Sequence, residues 1–118
     1  MTRKIICIVD DMFFASKIRA TAEALAVEIS FPRTKEAALQ KTRDLKPDLI
    51  LVDLHNQRFN PFEFITELRT EPDLELIPTL GFFSHVQVEL QRNAIAAGID
   101  QVIPRSIFAR DLSQILGG

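Results

Sequence analysis

Apolar residues along this chain are grouped in short runs rather than scattered one by one. Residues 4–9 (KIICIV) form a mainly apolar run, and residues 47–54 (PDLILVDL) and 77–83 (IPTLGFF) repeat the pattern. Continuous runs of this length are typical of strands that are covered on both faces, as in a parallel sheet. The shorter segments 27–31 (VEISF) and 100–104 (DQVIP) predict two further strands.

The segments between these strands have the spacing of amphipathic helices. In the first of them, Ile18, Ala22 and Leu25 recur at helical intervals and predict an inward face. The five predicted helices cover residues 15–26, 34–45, 61–70, 86–98 and 108–118.

Several residues at the ends of these segments have the properties of helix caps. Thr34 is suited to an N-cap, and Asn60 followed by Pro61 is suited to an N-cap with proline at the first helical position. Gly98 is a good C-cap. Strand and helix therefore alternate five times with short connections, which indicates an α/β domain over residues 1–118 with helices on both faces of a parallel sheet.

Composition narrows the class of protein further. The chain has 118 residues, of which 47% are hydrophobic, so it is long enough for one core and is not a disordered chain. The net charge of -2 gives no general attraction to nucleic acid or to anionic membranes. No apolar run approaches the length of a membrane helix, and the start is not a signal peptide, so we expect a cytoplasmic protein without membrane or direct nucleic-acid partners. The lone Cys7 lies in an apolar run, as an inert buried thiol would.

Three carboxylates stand at the ends of two predicted strands. Asp10 and Asp11 close the first apolar run, and Asp53 closes the third. Ligands of open α/β sheets bind beyond the carboxyl ends of the strands, so the three side chains converge if these strands are neighbours. Ionised carboxylates share a small site only when a cation joins them, and Mg²⁺ prefers such hard oxygen ligands. Asp53 is then either a third ligand or a nucleophile that forms an acyl phosphate.

The segments CIVDD, KPDLILVDL and AIAAGIDQVIPR resemble the receiver domains of two-component response regulators, in the same order and spacing over nearly the whole chain. The resemblance implies a flavodoxin-like, doubly wound sheet of strand order 2-1-3-4-5 with five helices. It implies Mg²⁺ as cofactor, with Asp11 as direct ligand and Asp10 assisting. It also implies that Asp53 accepts a phosphoryl group and that the backbone carbonyl of His55 completes the metal site.

The chain departs from the family at several positions. The hydroxyl residue that the family has at the end of the fourth strand falls on Phe83, and Ser84 follows one residue later. A slip of one residue would still deliver the Ser84 hydroxyl to the phosphoryl group. Where the family has a lysine after the fifth strand, this chain has Arg105. Arginine keeps the positive charge, but it can bind phosphate through two N–H groups at once, which lysine does not. The family's proline four residues after the acceptor is Gln57.

The leading functional prediction is a phosphoacceptor receiver that takes phosphoryl from a histidine kinase or a phosphotransfer protein and changes its binding to a downstream protein. Such a chain is not an enzyme beyond its own phosphorylation and dephosphorylation, and we expect a monomer or a weak dimer. The alternative is a pseudo-receiver that binds its partner constitutively. A haloacid-dehalogenase-type hydrolase is disfavoured because Met12 stands where that family has its second acid. The side chains of His55 and His85 are more typical of loop histidines than of catalytic groups.

Overall fold

The computed structural model describes residues 2–84 and 87–118 of the chain. Within these residues it contains one parallel sheet of five strands in the order β2-β1-β3-β4-β5. The strands are β1 (Lys4–Ile8), β2 (Glu28–Ser30), β3 (Leu49–Asp53), β4 (Thr79–Phe83) and β5 (Gln101–Pro104). The predicted flavodoxin-like fold class and strand order are therefore confirmed.

Six helices occur among the described residues, where the sequence predicts five. They are α1 (Met12–Ala24), α2 (Lys35–Leu45), α3 (Pro61–Thr70), α4 (Val88–Ala97), α5 (Arg105–Arg110) and α6 (Leu112–Gly117). The last predicted helix starts earlier than expected and divides at Asp111, whose φ of -100° and ψ of 16° lie outside the α-helical range. No described helix is long and apolar enough to cross a membrane.

Local sequence signals fix three of the helix ends. The Thr34 hydroxyl accepts from the Ala37 N–H at the start of α2, and the Asn60 side chain caps α3, which begins at Pro61. Gly98 ends α4 with φ 110°, a conformation that favours glycine. These three predicted caps are confirmed.

The sheet separates two apolar layers. One layer packs α2, α3 and α4 against the sheet, and the other packs α1, α5 and α6 against the opposite face. Ile18 and Ala22 of α1 are fully buried, as predicted, whereas Leu25 follows the last residue of α1 and is 42% exposed. The predicted inward position of Leu25 is wrong because the helix ends before it. Cys7 is buried as predicted, and burial raises the pKa of its thiol.

Three aromatic rings hold the start of α1 against α5. Phe82 of β4 stacks on Phe108 of α5 with 4.3 Å between ring centroids. Phe14 of α1 contacts both rings at centroid distances of 5.3 and 5.4 Å. Phe13, the residue before it, is 92% exposed. This aromatic cluster fixes the first residues of α1 and α5 relative to each other.

One arginine joins four elements on the other face of the sheet. The side chain of Arg69, near the end of α3, is 18% exposed. Its hydrogen bonds, 2.7–3.1 Å long, reach the carbonyls of Glu75, Ile77 and Gly98, the hydroxyl of Thr79 and the carboxylate of Asp100. Because a guanidinium has five N–H donors, every donor of Arg69 is used. The Arg69 side chain thus ties α3 to the starts of β4 and β5.

Candidate functional site

The strand order brings two predicted site residues to one edge of the sheet. β1 and β3 are adjacent and parallel, with Ile8 paired to Val52, so the residues that follow at their carboxyl ends are neighbours. Asp53 is the last residue of β3, and Asp10 lies just beyond β1. Strand order reverses between β1 and β3, which is where ligands bind in doubly wound sheets.

Asp53 is the most enclosed carboxylate of this edge. Its residue is 6% exposed, and its Oδ1 accepts a hydrogen bond of 2.9 Å from the backbone N–H of His55. Burial raises the pKa of Asp53 above its ordinary value, and the charge of Asp10 acts in the same direction. The His55 N–H and the positive charge of Arg105 oppose this shift. A buried carboxylate beside a like charge is a group that a bound cation would stabilise.

Replacing Asp53 by Asn is expected to raise the free energy of unfolding at pH 7 by about 1 kcal/mol, because the exchange removes a charge that burial disfavours. Because the pKa is raised, the Asp53 carboxylate binds a proton more tightly in the folded wild type than in the unfolded chain. Wild-type stability therefore falls as the pH rises from the ordinary carboxyl pKa to the raised one. The gain in stability from Asp53→Asn is therefore fully present at pH 7. It disappears when the pH falls through the range between the raised and the ordinary pKa.

Urea titrations of both proteins at pH 7 and at acid pH, in chelator to exclude divalent cations, measure this effect. Asp73→Asn is a matched control because Asp73 is exposed. A variant at position 53 that is no more stable than wild type at pH 7 would contradict the electrostatic argument.

Asp10 is held by the loop that follows β3. Its Oδ2 accepts a hydrogen bond of 3.0 Å from the backbone N–H of Gln57. Proline has no N–H, so a proline at position 57 could not make this bond. The departure at Gln57 therefore provides an additional tie between the β1–α1 and β3–α3 loops. The glutamine at position 57 is visible in the sequence, but its hydrogen bond to Asp10 was not predicted.

Asp11 is bound by Phe14 and Arg105 rather than by the loop that holds Asp10. Its Oδ1 accepts from the backbone N–H of Phe14 and so caps α1, and its Oδ2 accepts from the guanidinium of Arg105 at 2.9 Å. The hydrogen bond from the Phe14 N–H is the largest cause that lowers the pKa of Asp11, and the hydrogen bond from Arg105 lowers it further. Both oxygens of Asp11 are thus engaged within the protein.

Arg105 is the first residue of α5 and reaches the acid pair from the far side of β4. Its guanidinium carbon lies 4.2 Å from the centroid of the Phe14 ring, in a cation–π contact. The aromatic cluster positions Phe14, and Phe14 supports the guanidinium that pairs with Asp11. Sequence reasoning placed Arg105 near the site but missed Phe14 as its support, since an aromatic in a helix is usually only core.

The carboxylates at this edge of the sheet provide some of the oxygen ligands that a small hard cation needs. The described residues contain no group of three or more His, Cys, Asp or Glu side chains arranged to hold a metal ion. Within the described residues, Oδ1 of Asp10 and Oδ2 of Asp53 accept no hydrogen bond. Mg²⁺ commonly uses only one or two carboxylates and keeps several waters, so this pair fits its chemistry. Asp11 would join the set only after release from Arg105.

The end of β4 presents no hydroxyl from the strand itself. Phe83, the last residue of β4, is 6% exposed and packs in the core layer of α2, α3 and α4. Ser84 follows it and is exposed at the same edge of the sheet. Ser84 thus remains the hydroxyl that the sequence offers at this edge, while His85 lies outside the described residues.

Comparison with known proteins finds similar chains among curated proteins and among solved structures. No family model matches the chain. The response regulator protein VraR of Staphylococcus aureus is 33% identical over 76 residues, which cover 64% of this chain and 35% of VraR. The match therefore spans about a third of the length of that relative.

Solved structures extend the similarity over the whole fold. The phosphorylated cyanobacterial phytochrome response regulator RcpA is 25% identical with a TM-score of 0.76, over 100% of this chain and 91% of RcpA. The Mn²⁺-bound form of response regulator Rcp1 has a TM-score of 0.75 at 18% identity, over 98% of this chain and 90% of Rcp1.

Proposed function

We propose that this chain, a receiver domain of response regulators by its fold and its sequence similarity, accepts a phosphoryl group on Asp53 with the help of a divalent cation. The observation that carries the proposal is the buried Asp53 carboxylate beside Asp10 at the carboxyl ends of β3 and β1. The relatives support it, since RcpA was solved in a phosphorylated form and Rcp1 with Mn²⁺ bound.

In the proposed reaction a carboxylate oxygen of Asp53 attacks the phosphorus of the donor. A new O–P bond forms, the bond between phosphorus and the leaving group breaks, and the leaving group keeps the electron pair, so the product is an acyl phosphate. The His55 N–H donates to Oδ1 of Asp53 and so orients the carboxylate for attack. Bound Mg²⁺, held by Asp10 and Asp53 with the backbone carbonyl of His55, would neutralise charge on the transferred group.

Arg105 has two competing roles in this proposal. It pairs with Asp11 in the structure, and its guanidinium is suited to grip two phosphoryl oxygens at once. Transfer of Arg105 from Asp11 to the phosphoryl group would free Asp11 to serve as a direct metal ligand. The Ser84 hydroxyl donates to the phosphoryl group from the end of β4. These changes would favour one conformation of the domain over another and so alter partner binding.

The partners proposed are a histidine kinase or phosphotransfer protein as donor and a downstream protein as receiver of the signal. Action in the cytoplasm, the lack of direct nucleic-acid binding and a monomeric or weakly dimeric state belong to the same proposal.

Incubation of the purified protein with acetyl phosphate and Mg²⁺ tests the proposal. Intact-mass analysis should show one labile phosphoryl group on the wild type, lost on mild alkaline treatment. The same incubation with chelator should leave the mass unchanged. An unmodified protein in the presence of Mg²⁺ would overturn the proposed function.

Arg105→Ala is expected to tighten Mg²⁺ binding by about 1.4- to fivefold, because a partly exposed ion pair with Asp11 contributes roughly 0.2–1 kcal/mol. Calorimetric titration with Mg²⁺ measures this change. Arg110→Ala is the matched control, since Arg110 lies on the same helix and pairs with Asp111 away from the site. Equal Mg²⁺ affinity in Arg105→Ala and wild type would show that Arg105 and the cation do not compete for Asp11.

A further inference from the structure

A cleft opens beside Asp10 on the α1 side of the sheet edge. Three arginines from different elements line it: Arg19 of α1, Arg33 of the β2–α2 connection and Arg58 of the β3–α3 connection. Asp53, Asp11 and Arg105 do not line this cleft. It therefore adjoins the proposed phosphoacceptor site and shares only Asp10 with it.

These three arginines differ from the other arginines of the chain. Among the described residues, the side chains of Arg19, Arg33 and Arg58 make no hydrogen bond or ion pair. Each remaining arginine hydrogen-bonds or ion-pairs with the protein, namely Arg3, Arg43, Arg69, Arg92, Arg105 and Arg110. The arginines without such a contact all lie around one cleft, which a random scatter of solvated side chains would not give.

The charge and shape of the cleft favour a small anion. Asp10 is the single carboxylate in its lining, so three positive charges face one negative charge. The guanidinium of Arg19 rests on the Phe31 ring, 4.7 Å from its centroid, and this contact limits its freedom before any ligand binds. The cleft volume of about 120 Å³ is below the roughly 300–1,000 Å³ of pockets for drug-sized ligands.

We propose that this cleft binds a phosphate-sized oxyanion, either free or as the terminal group of a small phosphorylated molecule. Guanidinium groups hold phosphate through paired N–H donors, and several of them around one pocket give both charge and geometry. An anion in the cleft lies next to Asp10 and so changes the charge around a proposed metal ligand. The proposal does not depend on phosphorylation of Asp53.

Titration of the full chain with inorganic phosphate, and separately with a small phosphomonoester such as glycerol phosphate, tests this inference at low ionic strength. We expect saturable binding with a dissociation constant on the order of 0.1–1 mM. Backbone and arginine Nε–H signals of Arg19, Arg33 and Arg58 should shift in ¹H–¹⁵N NMR spectra. Tighter binding of the phosphomonoester than of phosphate would identify a phosphorylated molecule as the ligand, and the reverse order would identify the free anion.

Variants decide between a built site and a solvated surface. The double variant R33Q/R58Q should weaken binding at least about tenfold, since it removes two charged donors from exposed positions. R92Q is the control, because Arg92 is exposed on α4 and does not line the cleft. Shifts that do not saturate, or equal affinity in R33Q/R58Q and R92Q, would overturn the proposal.

Discussion

Asp53→Asn is expected to abolish uptake of the phosphoryl group from acetyl phosphate, with the rate falling at least about 100-fold. A neutral amide is a poor nucleophile and a weaker ligand for a divalent cation than a carboxylate. Because the side chains are nearly equal in size, the buried position at the end of β3 accepts asparagine without a cavity. Intact-mass analysis over time, in Mg²⁺, measures the rates of wild type and variant.

Two controls keep this result interpretable. Asp73→Asn changes an exposed carboxylate and should be modified at the wild-type rate. The urea titration of Asp53→Asn shows that the variant is folded. Retained labelling of Asp53→Asn would mean that another residue accepts the group. If Asp53→Asn also bound a downstream partner as phosphorylated wild type does, the chain would be a constitutive binding module.

Arg69→Ala is expected to lower the free energy of unfolding by roughly 2–4 kcal/mol. All five guanidinium donors are used, and truncation leaves the carbonyls that they satisfy without a partner in a partly buried region. The aliphatic part of the side chain also packs against Gly98, where an added Cβ would lie 2.8 Å from Cγ of Arg69. Urea titration followed by circular dichroism measures the loss as a lower midpoint.

Arg92→Ala is the matched control for this prediction. The Arg92 side chain is 73% exposed and lies 3.6 Å from Glu89, so its removal should change stability by less than about 0.5 kcal/mol. Arg69→Lys should fall between Arg69→Ala and wild type, since lysine keeps the charge but has fewer donors. An Arg69→Ala protein as stable as Arg92→Ala would show that the bonds of Arg69 do not hold the starts of β4 and β5.

The sequence allowed the fold to be predicted because its strongest signals are local and repeated. The apolar runs at β1, β3 and β4 have the continuous pattern of buried parallel strands, and Asn60 with Pro61 marks a helix start by chemistry alone. The division of the last helix at Asp111 was missed because one backbone conformation decides it. The role of Arg69 was also missed, since its partners are spread over several connections that only the folded chain brings together.

The candidate site, like the fold, could be predicted from the sequence only in part. The approach of Asp10 to Asp53 follows from strand order, because neighbouring parallel strands end at one edge of the sheet. The contact of Arg105 with Asp11 does not follow from the sequence, since it joins residues 94 positions apart through the chosen side-chain conformations. Phe14 could not be recognised as the support of Arg105 without that contact.

The most direct test of the account identifies the residue that carries phosphorus. After incubation with acetyl phosphate and Mg²⁺, borohydride reduces an acyl phosphate of aspartate to homoserine and releases phosphate, and peptide mass spectrometry locates the change. The account predicts homoserine at position 53 in Mg²⁺ and none with chelator. Homoserine at another aspartate, or unmodified Asp53 in a protein that has gained phosphate, would contradict it.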